Sequence, residues 1–244
     1  MSTFNLESRE SIFFGIHFIV ASNWVADHKR FLDFQGALLT EALEFSEVAV
    51  GQRSYTLTRK EPSSLQVKVG SVGPQVSDIT VITPARPNHT LELFIKEVEA
   101  VCSAYLKVWA ANTMQILQSD VTLRHLYSCD CHAFRYLWEE RLGQQESDLR
   151  FLGGRKVLGG GLRLVLPRAD QWKENVEIKV ESYFGEPQKV FIETTFIWPE
   201  PYPIAKTDDF NAAKLLKTVE EYATGDVCRF LLKQEKEDDN AGKA

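Results

Sequence analysis

Hydrophobic positions change period several times along this chain, and the changes mark out its elements. From Ile12 to Val20 the residues are almost all apolar, β-branched or aromatic, which predicts a strand. Ser22 and Asn23, both of residue types that cap helices, lead into Phe31, Phe34, Leu38, Ala42 and Phe45. Their spacing of three and four puts them on one helical face. Three apolar segments follow, EVAVGQRSYTLT, SLQVKVG and DITVI, separated by Pro62, GSVGPQ and TPARPN. Each reads as a strand bounded by turn residues. Leu91, Phe94, Val98, Cys102, Tyr105 and Trp109 then make the longest stripe at helical spacing.

The second half repeats the order. TMQILQSDVTLRHLYS supplies one or two strands, and CHAFRYLWEERL a short helix with Asp130 as its N-cap and Gly143 just past its end. GLRLVLP, NVEIKVESYF and KVFIETTFIW read as three strands, the last two joined at GEPQ. A closing helix is expected from near Asp208, turning Ala212, Leu216, Val219, Ala223, Val227 and Phe230 inward, with Gly225 as a break. Strand, helix, three strands, helix, written twice, predicts an α+β fold of mostly antiparallel sheet with the helices packed on one face. We expect one globular domain over residues 1–233, built of similar halves near 10–111 and 112–233, and a disordered acidic tail over 234–244.

Composition adds bounds. With 244 residues, 44% hydrophobic and 11% aromatic, the chain can bury a substantial core. The 28 basic and 34 acidic residues give a net charge of −6, which argues against a chain that mainly coats nucleic acid. The N-terminal apolar run is too short to span a bilayer and lacks the basic flank and cleavage site of a signal peptide, so a cytoplasmic protein without membrane contact is expected. Four cysteines in a chain this size do not make a disulfide scaffold, and reduced thiols follow.

The glycine-rich stretch RFLGGRKVLGGGLRLVL raises the question of phosphate binding. A P-loop needs GxxxxGK[ST] opening a helix. Here Gly154 and Gly159 have the gap, but Gly160 and Gly161 follow them and the next element is a strand. The stretch reads instead as a tight crossing of backbone, or as a basic loop, since residues 135–168 hold seven bases against four acids. Whether the glycine loop, residues 153–161, takes an anion stays open. Arg150, Arg155, Lys156 and Arg163 from this region, with Tyr183, Trp198 and Tyr202 from the aromatic-rich segment after it, form the candidate partner-binding set.

Two further constellations carry chemistry. His125, Cys129, Cys131 and His132 lie within eight residues and are the candidate metal ligands, although C-x-C is tighter than a zinc knuckle and no second ligand pair exists. Cys131 in a first helical turn is also a candidate reactive thiol. Asp170, Glu177 and Lys179 echo the D…ExK arrangement by which nucleases hold a divalent cation. Glu177 and Lys179, however, alternate with Val176, Ile178 and Val180 as on any half-exposed strand. Cys102 and Cys228 read as core.

The order of elements resembles a sporadically distributed, functionally uncharacterised family of bacterial and archaeal proteins of similar length. In that family a central long helix leads into a strand with a G-L-R-Y-like motif. The matching stretch here is DVTLRHLYS, with Leu123 and Arg124 in place but no preceding glycine and no Arg-Tyr step. The resemblance implies an accessory or antiviral defence context and no catalytic residue. The first functional expectation is a non-enzymatic binding or regulatory subunit with a protein partner, no cofactor, a homodimer being open and nucleic acid reachable through the basic loop. The alternatives are a metal-dependent phosphodiesterase using Asp170, Glu177 and Lys179, or a module holding an apolar or acyl ligand in a groove near Cys102 and Trp109.

Overall fold

The computed structural model describes residues 4–22, 27–84, 90–109, 114–145, 147, 149, 153, 155 and 157–233. The expected acidic tail, along with Arg150 and Lys156 of the basic loop, lies outside them.

The alternating segments become ten strands: β1 (Phe4–Ala21), β2 (Glu47–Val50), β3 (Ser54–Arg59), β4 (Leu65–Gly73), β5 (Val76–Ile82), β6 (Met114–Cys129), β7 (Gly161–Leu166), β8 (Asn175–Ser182), β9 (Lys189–Trp198) and β10 (Tyr202–Ile204). The helices are α1 (His28–Thr40), α2 (Leu91–Trp109), α3 (Ala133–Arg135, continued as a π-turn over Tyr136–Arg141), α4 (Ala212–Thr224) and α5 (Asp226–Leu232). All strands join one sheet in the order β2-β3-β4-β5-β1-β6-β9-β8-β7, with β10 beside the start of β6, and every pairing is antiparallel. The α+β architecture is as the pattern predicts.

The two long strands β1 and β6 pair at the centre and fuse the halves, Phe18 opposite Ser119 and Phe13 opposite Arg124. Period-two alternation then sends one residue set of each strand to a common core: Phe14, Ile16, Phe18 and Val20 from β1, Val121, Leu123 and Tyr127 from β6, Val190, Ile192 and Phe196 from β9. The helices cover that face. α2 buries Phe94, Val98, Cys102, Tyr105 and Trp109, and α4 buries Leu216, Val219 and Ala223. α1 lies between α2 and β3, with Phe31 stacked on Tyr55 at 4.1 Å and Phe34 against Trp109 at 5.2 Å. Among the described residues no helix covers the opposite sheet face.

Several details depart from the expectation. EVAVGQRSYTLT is two strands, because Gly51 donates to the Ser54 carbonyl and closes a hairpin; the first half thus has four strands after its helix. β1 begins earlier than Ile12, and a bulge lets five steps along it, Asn5 to Glu10, answer two of β6. α1 is capped by Asp27, whose carboxylate accepts from the Lys29 amide. Ser22 is instead buried, bonded to Ser77 and the Tyr105 hydroxyl. His132, not Asp130, caps α3. Residues Thr207–Phe210 form a 3-10 turn, so α4 starts at Ala212. Gly225 does separate α4 from α5, but Phe230 faces outward under the Arg141 guanidinium. Among the described residues, no helix is long and apolar enough to cross a membrane.

Candidate functional site

The proposed metal ligands diverge. His125 points from β6 into the core, fully buried, its Nδ1 3.2 Å from the Ser11 hydroxyl and its Nε2 3.1 Å from Glu220 on α4. Cys129 ends β6 with its thiol donating to the carbonyls of Cys131 and Gln188, and burial pushes that thiol up to about 11. Cys131 is half-buried at the edge of the core, beside the His132 carbonyl, and the His132 Nδ1 accepts from the Phe134 amide. Alternation is the cause: strand residues 125 and 129 face the core, whereas 131 and 132 belong to the turn beyond. Among the described residues no group of three or more His, Cys, Asp or Glu side chains gathers to hold a metal ion.

The D…ExK echo resolves into strand chemistry. Glu177 and Lys179 stand on the open face of β8, and Asp170 is exposed in the turn bounded by Ala169 and Trp172. Glu177 accepts from Arg163 of the edge strand β7 at 2.7 Å and lies 3.3 Å from Lys179. Lys179 donates to Glu193 of β9 at 2.5 Å, and Arg124 of β6 donates to the same carboxylate at 2.6 Å. The result is a charge ladder across four strands. Arg163 chiefly holds the Glu177 carboxyl below the usual range; at Glu193 burial pushes upward but Lys179 and Arg124 outweigh it. Carboxylates so engaged are poorly placed to ligate a cation.

The candidate partner set is dispersed. Arg163 is spent on the ladder, Arg155 is exposed, and Tyr183 stacks on Phe191 at 6.4 Å. Trp198 packs on Phe196, and the Tyr202 hydroxyl donates to the Phe210 carbonyl. Gly161 answers a packing need: a Cβ there would stand 1.9 Å from the Val180 carbonyl oxygen. Cys102 and Trp109, where an apolar ligand was considered, are closed within the core at 0% and 1% exposure.

Two concave features were not marked by any motif. On the open face, Gly15 lets the Phe13 ring lie along the sheet, since a Cβ there would meet that ring at 2.7 Å. Arg124 stacks over Phe13, 4.3 Å from its centroid, and His17 bonds Asp120 at 2.9 Å across the central pair β1–β6. These groups border a shallow depression of about 270 Å³.

The larger feature is a groove of about 870 Å³ on the helical side, between β7–β8 and α4–α5. Leu166, Val176 and Phe196 line it, with the Tyr222 ring edge-on to Phe196 at 5.1 Å. Trp172 borders it from the β7–β8 turn and is 59% exposed. Glu174, Glu221, Asp226 and Arg229 complete the lining, and Arg229 pairs with Asp226 at 2.7 Å, so the groove carries net negative charge. Burial, then Asp226 and Glu174, raise the Tyr222 hydroxyl pKa. One signal was present in the sequence: a tryptophan in the polar turn DQWKEN has no alternating partner to bury it. Tested against protein-family models and against curated proteins, the chain matches none.

Proposed function

We propose that the protein is a non-enzymatic binding or regulatory subunit that engages a protein partner, and that the partner sits on the β7 end of the molecule. The observation that carries this reading is the groove with its exposed lip. Leu166 at 40% and Trp172 at 59% exposure border one concave apolar surface next to β7, which ends the sheet among the described residues. Contiguous exposed apolar surface of this kind marks interaction sites, and an exposed tryptophan is the residue type that most often anchors them. The charge of the lining favours protein over nucleic acid, because acids bordering the groove repel a phosphate backbone. The nuclease alternative draws no comparable support, since the ladder occupies Glu177 and Lys179.

The experiment is native mass spectrometry of the chain purified from its own host, with and without nuclease, beside Leu166→Asp and Trp172→Ala. We expect a stoichiometric second protein that survives nuclease and is lost from both variants. A chain arriving alone, or with a nucleic-acid fragment, overturns the reading.

A further inference from the structure

Among the described residues β2 ends the sheet at the side away from β7, and all four of its residues are exposed, Val48 at 43% and Val50 at 66%. The hairpin fixes where its backbone points. The Gly51 amide donates to the Ser54 carbonyl, so residues 51, 49 and 47 bond toward β3, and the amides and carbonyls of Val48 and Val50 point away from it. Side chains alternate too. Val48 and Val50 stand opposite Leu57 and Tyr55 on the helical side, Glu47 and Ala49 opposite Thr58 and Thr56 on the other. On that helical side the exposed Leu39 of α1 borders a cleft with Phe45 and Leu57, and the exposed Leu32 precedes it on the same helix face. Sheet edges that face water ordinarily carry a lysine, a proline or an inward charge that blocks pairing, and Val48-Ala49-Val50 carries none.

We infer that β2 is the docking edge for a second copy of this chain, paired antiparallel about a two-fold axis at Ala49. Opposed residues must share a face of the joined sheet, and the outward-bonding residues must meet each other. One register engages every outward amide and carbonyl of β2: Val48 of one copy lies opposite Val50 of the other, and Ala49 meets Ala49 on the axis. Alanine suits that place, because opposed residues without mutual hydrogen bonds approach most closely. The charges agree with this register. Glu47 faces Gly51 of the second copy, so no like charges are opposed, and the exposed Arg53 in that copy's hairpin turn comes within diagonal reach of Glu47. Glu47 bonds Lys60 through one oxygen at 2.6 Å, which leaves the other for that guanidinium. β2 and β7 stand at opposite ends of the strand order, so the dimer keeps both β7 ends free and presents two partner sites. The pairing itself does not depend on the binding reading above.

Sedimentation velocity of the full chain over a concentration series reads the assembly, and amide hydrogen exchange followed by NMR reads the edge. We expect dimers in the micromolar range, with concentration-dependent protection of the Val48 and Val50 amides, which bond nothing in β3. Val48→Lys with Val50→Lys should raise the dimer Kd at least about ten-fold. Glu47→Arg or Arg53→Glu alone should weaken the dimer about three-fold or more, and the two together should restore it. These side chains are all exposed, so the variants are expected to keep the melting curve of the dilute wild type.

A chain that stays monomeric at about 100 µM, or a dimer indifferent to the two lysines, overturns the inference. So do Val48 and Val50 amides that exchange freely in the dimer, or a charge swap that fails to restore it. A strand of another protein found on β2 in place of the second copy likewise overturns it.

Discussion

Replacing Gly161 by alanine tests how closely the edge strand β7 depends on its glycines. An added Cβ would lie 1.9 Å from the Val180 oxygen and 2.6 Å from the Glu181 Cα, and ordinary contact begins near 3.4 Å. Both obstacles are backbone, so the start of β7 must retreat from β8 by about 1.5 Å, too far to keep hydrogen bonds near 3 Å. The bonds at risk are the Ser182 amide to Gly160 carbonyl, at 3.0 Å, and the Gly160 amide to Ser182 hydroxyl, at 3.1 Å. Two such bonds at about 0.5–1.5 kcal/mol each give a loss of about 1–3 kcal/mol. For a domain of this size that lowers Tm by about 2–12 °C. Gly159→Ala is the internal comparison, because its Cβ would meet only the Ser182 hydroxyl, a side-chain end that can rotate away. Urea and thermal melts of the two variants decide the matter. If Gly161→Ala melts like the wild type, or Gly159→Ala costs as much, close backbone approach is not what the glycines provide.

Three other outcomes are expected. Burial raises the Glu220 pKa, but His125 and Arg9 outweigh it and hold it below the usual carboxylate range, so its stabilisation is present above about pH 4.3 and lost as pH falls through the lower folded value. Glu220→Gln should cost about 1–3 kcal/mol at pH 7 and flatten the acid limb of a stability-versus-pH curve, and an unchanged acid limb would refute the assignment. Arg59 and Glu97, 7% and 6% exposed, form a buried pair that also holds Ser63; Arg59→Met should cost about 3–5 kcal/mol in urea unfolding, most of it recovered by adding Glu97→Leu. A double variant no more stable than the single one would sink that account. Cys129, with its thiol at about 11, should resist iodoacetamide at pH 8 in the native protein and react once denatured, as peptide mapping would show; rapid native alkylation counts against its burial.

What the sequence determined by itself is local and periodic. Period two and period 3.6 are properties of neighbouring residues, so Val176, Ile178 and Val180 announced a strand and Phe94, Val98, Cys102 and Tyr105 a helix before any contact was known. The doubled order of elements likewise predicted an antiparallel α+β fold. Tertiary structure alone decided what depends on distant partners. That β1 and β6 meet at the centre joins residues about a hundred positions apart, and no local pattern encodes it. Glu177 and Lys179 read equally as ligands or as a solvated face, and only the arrival of Arg163 and Glu193 from neighbouring strands set their use. His125 and Cys131 were close in sequence yet fell on the core face and in a turn, since β6 ends at Cys129 and the chain turns away before Cys131. The groove was hidden most deeply: Leu166 carries the same apolar signal as Val176 and Phe196 beside it, and only packing reveals that those two are buried while Leu166 is 40% exposed.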